Sequence, residues 1–213
     1  MPGSGSGSGS VLPDPVAVER AVIALREGRP VVLPTDTVYG VAVLASVAGA
    51  TSALFGLKER AATQPFAVLV ADLAQARSLA EPLSPLVEHL ASTYWPGPLT
   101  LVVRRRRELA DLELGGNPST IGVRCPDHPL VRDLAQRLGP IVTTSANRHG
   151  EPTPATATGA AAALGGPVAE VLDGGVLDGQ ASAVIDCTVE PPKLLRGGKL
   201  TDALRTTILE HGP

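Results

Sequence analysis

Aromatic side chains are nearly absent, with one Trp, two Tyr and two Phe in 213 residues. The core must therefore be aliphatic, and the Ala, Val and Leu behind the 44% hydrophobic content suit sheet layered against helix. So few rings also exclude a stacking platform along a nucleic-acid strand. Cysteine is as scarce: Cys125 and Cys187 are too few for a disulfide framework or a zinc quartet, and read as small buried hydrophobes. The four histidines show no ligand spacing such as HExxH, so no metal is expected on protein side chains; His128, between Asp127 and Pro129, has the one suggestive setting. Basic residues are not in excess. The 18 Lys and Arg face 21 Asp and Glu, a net charge of -3, which excludes a surface-wide grip on phosphates and leaves any anion site local. No apolar run approaches the roughly 18 residues of a membrane span, and no basic-then-apolar leader opens the chain, so a cytoplasmic protein without a membrane partner is expected. Neither GxxxxGK[ST] nor GxGxxG occurs, which excludes P-loop and Rossmann nucleotide sites, and the missing GxSxG argues against a serine hydrolase.

What is present fits one α/β domain. Residues 3–10 alternate Gly and Ser, so 1–12 is expected to be a flexible segment and 13–213 a single domain. Asp14 can cap a helix that ends near Gly28. Strands are expected at 31–33, after residue 41, at 66–70, 99–103, 120–124 and 141–142, with further strands at 168–172, 182–187 and 193–195. Helices are expected before residue 58 and at 73–80, 85–93, 129–138 and 153–164. Strands alternate with helices and then cluster, which predicts a twisted mixed sheet with helices packed on it. The run Arg104 to Arg107 reads as a solvated strand end or hairpin loop, with a local RNA contact as the alternative.

Two apolar strands end in hydroxyls: VVL runs into Pro34-Thr35-Asp36-Thr37, and Ile141-Val142 into Thr143-Thr144-Ser145-Ala146-Asn147. Packing does not favour such endings, because a buried hydroxyl or carboxylate without a partner costs roughly 1–3 kcal/mol. Two of them imply one shared crevice at the strand ends. Four cations also follow element ends: Lys58, Arg60, Arg124 and Arg196. Taken singly, each reads as a surface charge. Converging with hydroxyls, they suit a triphosphate or carboxylate, with Arg as a planar fork and Lys as a point charge. A site of cations and hydroxyls without a nucleophile suits phosphoryl or nucleotidyl transfer, where positioning and charge neutralisation do most of the work.

PTDTVYG at 34–40, the KxR of Lys58 to Arg60, WPGPLT at 95–100, VRCPDHP at 123–129, the SAN of Ser145 to Asn147 and LLRGG at 194–198 together resemble the YrdC-like family, which includes the TsaC threonylcarbamoyl-AMP synthases. The similarity is to the short, single-domain form. The resemblance implies a YrdC-like α/β fold, a twisted mixed sheet flanked by helices around a positively charged cleft, and a nucleotidyltransferase that joins L-threonine, bicarbonate and ATP, with Mg²⁺, into threonylcarbamoyl-AMP and pyrophosphate. The product would feed a separate threonylcarbamoyl transferase machinery that modifies tRNA to N6-threonylcarbamoyladenosine. By motif, the resemblance implies that Lys58, Arg60, Gln64, Thr120, Ser145, Asn147, Thr153 and Arg196 hold ATP. It makes Lys58, Arg60, Ser145 and Asn147 the catalytic set, and Thr37, Arg124, Thr143 and Ser182 the threonine site. The chain departs from the family pattern at Ala61, at Gln64, at Leu69, where members carry a histidine, and at Ser182-Ala183 in place of Ser-Thr.

Two other readings compete. A YciO-type paralogue would keep the cleft and its ATP or RNA contacts with a different amino-acid substrate or none, and Leu69 is its support. A double-stranded RNA-binding module, or a weak RNA contact beside the enzyme activity, would use the same cleft with Arg104 to Arg107 as an outrigger. Steep weakening of RNA binding with salt would mark that case.

Overall fold

The computed structural model describes residues 13–58, 64–148, 150–177, 179–198 and 200–211. The first helix, α1 (Pro15–Arg26), begins where the Asp14 carboxylate accepts the Val16 N–H, and Pro15 at its first position has no donor to leave unpaired. Gly28 stops it in the left-handed region at φ 71°. A Cβ at Gly28 would meet Val47 at 2.8 Å.

The elements follow in the order β1 (Val31–Leu33), β2 (Gly40–Leu44), α2 (Ala50–Lys58), β3 (Ala67–Leu69), α3 (Leu73–Leu79), α4 (Pro85–Tyr94), β4 (Leu99–Arg104), β5 (Thr120–Arg124), α5 (Pro129–Leu138), β6 (Ile141–Ser145), α6 (Ala157–Ala162), β7 (Glu170–Val171), β8 (Ala183–Asp186), β9 (Lys193–Arg196) and α7 (Thr201–His211). Among the described residues these strands form one sheet in the order β7-β1-β2-β6-β3-β5-β4-β8-β9. The pairs β1/β7, β3/β5 and β4/β8 are parallel and the others antiparallel, so the sheet is mixed, as expected. No described helix is long and apolar enough to cross a membrane.

Alternation along the strands sends side chains to opposite faces. One face is apolar along its whole width: Val32, Val41, Val68, Val123, Leu101 and Ile185 pack with Leu54, Leu79, Leu90, Ala160 and Leu204 from α2, α3, α4, α6 and α7. The other face is covered over half its width. There Val31, Leu33, Ala42, Leu44, Leu69 and Ile141 pack against Ala21, Val22 and Leu25 of α1 and Val131 and Leu134 of α5. Each fully buried aliphatic side chain in these layers contributes about 1.5–3 kcal/mol. Where α1 and α5 end, the same face continues as Ala67, Thr100, Gly122, Thr143 and Val184, and these residues floor a cavity.

Several expectations are corrected. The helix expected over 153–164 is only Ala157–Ala162, because Pro154 disfavours helical backbone at Thr153 before it and Thr156 caps the later start by accepting the Gly159 N–H. The strand expected over 168–172 is only Glu170–Val171. Helix α7 was not expected; it is held by fully buried Leu204 and by a 2.7 Å hydroxyl contact between Tyr94 and Thr207, neither of which its own sequence pattern signals. The Arg104–Arg107 run is solvated only in part. Arg105 is buried, and its guanidinium donates to the carbonyls of Ala110, Leu112 and Pro118, so it ties down the loop after β4 rather than reaching for an RNA. Of the cysteines, Cys125 is buried and Cys187 partly so, and burial pushes their thiols up to about 11 and about 12.

Candidate active site in the open half of the sheet

The cavity has a volume of about 480 Å³. Its floor is made of small and hydroxylated residues, which keeps the sheet backbone within reach of a ligand. At Gly40 a Cβ would lie 2.8 Å from the Thr143 hydroxyl, and Gly122 has Thr100 and Val102 at contact distance, so larger residues would fill the space. Every described residue expected at the site lines this one cavity. Thr37 comes from the β1–β2 loop, Lys58 from the last turn of α2, and Gln64 from the segment before β3. Thr120 and Arg124 come from the two ends of β5, and Thr143, Ser145 and Asn147 from β6 and its exit. Thr153, Ser182 and Arg196 complete the wall. Arg60 lies outside the described residues.

At one end, Arg124 is buried and held from three sides. Its Nε donates to the Gly97 carbonyl at 3.1 Å, Nη1 to Thr37 at 2.9 Å and Nη2 to Asp36 at 2.6 Å. A guanidinium has five N–H groups, so two remain, one on each terminal nitrogen, the number that a bidentate carboxylate takes. Burial pushes the pKa of Arg124 down, Asp36 pulls it back up, and like-charged Arg196 adds to the fall. Arg196 is anchored in turn by Ser182, with Nε donating to the carbonyl at 2.9 Å and Nη2 to the hydroxyl at 3.1 Å.

The hydroxyls are oriented as well as placed. Thr35 donates to the Val38 carbonyl at 2.7 Å, which leaves Thr37 as the donor in the 2.9 Å contact between their hydroxyls. Thr143 donates to the Val41 carbonyl at 3.1 Å, and Ser145 to Asn147 Oδ1. With their single protons committed to the protein, Thr37, Thr143 and Ser145 face a ligand as acceptors. They suit ammonium and hydroxyl donors.

At the other end, Lys58 is buried, and its ammonium donates to the Ser145 carbonyl at 2.7 Å, to Asn147 Oδ1 at 2.9 Å and to the Asn147 carbonyl. The Asn147 amide donates at 2.6 Å to the carbonyls of both Arg148 and Glu151. Lys58 and Asn147 thus fold the strand exit into a fixed turn that presents Ser145 to the cavity. Among the described lining residues Glu151 is the one carboxylate, against the three cations Lys58, Arg124 and Arg196. Among the described residues no cluster of His, Cys, Asp and Glu could hold a metal ion.

Sequence reasoning missed Asp36, which pairs with Arg124, and Thr100, whose hydroxyl lies 3.0 Å from that of Ser182. The signal for Asp36 was its place between two site hydroxyls. Thr100 alternates with buried leucines and could have been found by that period. It also missed Tyr39, whose hydroxyl donates to the Gly175 carbonyl at 2.6 Å and accepts the Gly174 N–H at 3.0 Å, fastening the 173–175 turn beside the cleft.

A family model described as telomere recombination, Sua5_yciO_yrdC, matches residues 23–198. The chain belongs to the Sua5/YciO/YrdC family. Within this family it is 35% identical over 186 residues to the threonylcarbamoyl-AMP synthase of Bacillus subtilis, covering 86% of this chain and 54% of that protein. It is 37% identical over 182 residues to a putative threonylcarbamoyl-AMP synthase of Mycobacterium tuberculosis, covering 85% and 83%. The crystal structure of Pyrococcus abyssi Sua5 complexed with L-threonine superposes with a TM-score of 0.83 at 36% identity, over 90% of this chain and 57% of that one. The chain therefore spans about half the length of its B. subtilis and P. abyssi relatives in the Sua5/YciO/YrdC family. Escherichia coli YciO, at 24% identity and a TM-score of 0.80, shares the fold.

Proposed function

We propose that this chain is a threonylcarbamoyl-AMP synthase, a nucleotidyltransferase that joins L-threonine, bicarbonate and ATP and releases pyrophosphate and water. The observation that carries the reading is Arg124, a buried guanidinium with two N–H groups left for a carboxylate, at one end of a cavity whose wall also holds Arg196, a guanidinium suited to phosphate. Similarity to relatives named threonylcarbamoyl-AMP synthase, and to a Sua5 structure that holds L-threonine, supports it. The fork of Arg124 takes the amino-acid carboxylate, and the acceptor hydroxyls of Thr37 and Thr143 take its ammonium and side-chain hydroxyl. Ser182, by motif a threonine contact, also accepts from Arg196 and so orients it.

Chemically, the amine nitrogen bonds to the bicarbonate carbon with loss of water, giving a carbamate. A carbamate oxygen then bonds to the α-phosphorus of ATP as the bond to pyrophosphate breaks. The chain supplies no nucleophile of its own. Arg196 and, by motif, Arg60 offset charge on the phosphates, while Lys58 and Asn147 fix the turn that carries Ser145. Gln64, Thr120 and Thr153 complete the nucleotide contacts. ATP would enter as its magnesium complex, the metal offsetting part of the triphosphate charge beside Arg196 and, by motif, Arg60. The product serves a threonylcarbamoyl transferase acting on tRNA.

The test is pyrophosphate release with L-threonine, L-serine and L-valine in turn, on the parent and on Arg124→Lys. Serine lacks one methyl group and loses about 1–3 kcal/mol of discrimination. Valine leaves a buried acceptor unpaired and is rejected more strongly. The Lys variant keeps the charge and loses the fork, so its turnover falls. Release independent of any amino acid would favour a YciO-like role, for which buried Leu69 in the cavity wall is the observation.

A further inference from the structure

Asp36 follows Thr35 and precedes Thr37, both of which line the cavity, yet it is not itself part of the lining. Its Oδ1 accepts from Arg124 Nη2 at 2.6 Å, and the two side chains are 12% and 7% exposed. We propose that Asp36 is a positioning residue that, through Arg124, aims the guanidinium fork at the carboxylate of the amino-acid substrate. This rests on the reading of the cleft given above.

Two effects of such a pair oppose each other. A carboxylate beside Arg124 neutralises charge that a ligand would otherwise meet, and removing it would then tighten binding. The same carboxylate fixes which N–H groups remain for the ligand, and removing it would then loosen binding. Three observations favour the second effect. Of the three groups bonded to Arg124, Asp36 alone is charged; Gly97 and Thr37 are neutral acceptors. Arg196 lies close enough to act on Arg124 as a like charge, so a guanidinium without its carboxylate is pushed as well as released. The bond to Asp36 is also the shortest of the three, 2.6 Å against 2.9 Å to Thr37 and 3.1 Å to Gly97.

Asp36 is also undivided. Its Oδ2 is buried and has no hydrogen-bond partner among the described residues, so its one side-chain hydrogen bond goes to Arg124. The imidazole of His128, which feels the Asp36 charge, does not compete. His128 is buried, its Nδ1 has no partner among the described residues, and burial lowers its pKa, so the imidazole is neutral near pH 7. The Asp36 charge acts on His128 more strongly than Arg132 or Asp127 does.

The experiment measures calorimetric binding of L-threonine, L-threoninol and ATP by the parent, Asp36→Asn, Arg124→Gln and the double variant. L-Threoninol keeps the amine and side chain and lacks the carboxylate. For Asp36→Asn the expected result is a loss of about tenfold or more for L-threonine, since a charge-assisted bond becomes a neutral one, with L-threoninol and ATP changed by less than about threefold. The double variant should bind L-threonine no worse than Arg124→Gln alone. Because it removes both charges, it carries the comparison if Asp36→Asn alone melts early. L-Threonine binding that is unchanged or tighter in Asp36→Asn overturns the proposal, as does an equal loss for L-threoninol, or a double variant weaker than Arg124→Gln. A parent that binds ATP but not L-threonine overturns the amino-acid reading itself, and the proposal with it.

Discussion

Replacing Lys58 with Met separates two roles that a lysine in this place could have. If its ammonium is aimed at phosphates, the change removes a buried cation from the cleft and, without ligand, leaves the fold as stable as before, or more so. The geometry gives the other role, because the ammonium donates to the Ser145 carbonyl, the Asn147 carbonyl and Asn147 Oδ1. Without it these acceptors lose a charged donor, and each buried acceptor left unpaired costs about 1–3 kcal/mol. Water from the open cleft reaches some of them, and removing a buried charge recovers part of its desolvation, so the net loss should be about 2–4 kcal/mol. At roughly 2–4 °C per kcal/mol for a chain of this size, the melting temperature should fall by about 4–16 °C. The assay is thermal unfolding of both proteins without ligand, followed by ATP binding below the transition. A shift of less than about 2 °C together with lost ATP affinity would refute the argument that Lys58 clamps the turn.

Arg196→Ala should weaken ATP binding at least about tenfold, equivalent to the roughly 1.5–3 kcal/mol of a charge-assisted contact, while the chain stays folded; unchanged calorimetric affinity would contradict it. Arg105→Leu should cost about 2–4 kcal/mol in urea unfolding, because three loop carbonyls lose their donor, without changing turnover per folded molecule. His128 makes stability depend on pH. Burial lowers its pKa in the folded chain, so on acidification the unfolded imidazole takes up its proton first, and stability complete above about pH 7 falls as the pH drops through the ordinary value of 6.5 and levels off below the folded one. His128→Gln should flatten that part of the melting-temperature profile, and a slope identical to the parent's would contradict the assignment.

The alternation of strands and helices was legible because most strands are short aliphatic runs, some closed by Pro or hydroxyls, as VVL is by Pro34 and Ile141-Val142 by Thr143. The cleft was legible for a related reason: PTDT and TTSAN place polar groups where an apolar strand should end in a turn. Other features depend on contacts between distant segments. Helix α7 stands on Leu204 and on Thr207 meeting Tyr94, which no local period reports. Arg105 reads as one of four charges in a row until residues 110, 112 and 118 curl around it. Asp36 is visible as a residue type, but its role needs Arg124, 88 positions away. The directions in which Thr35 and Thr143 point their protons are set by the backbone carbonyls of Val38 and Val41, so they belong to the folded chain alone.

The measurement that bears most directly on the account supplies ATP, L-threonine and bicarbonate labelled with heavy carbon, and then follows the nucleotide products by mass spectrometry. The account predicts an adenylate that carries both the threonine mass and the label, formed together with pyrophosphate and only when all three substrates are present. An unlabelled adenylate, or pyrophosphate released without threonine, would contradict it.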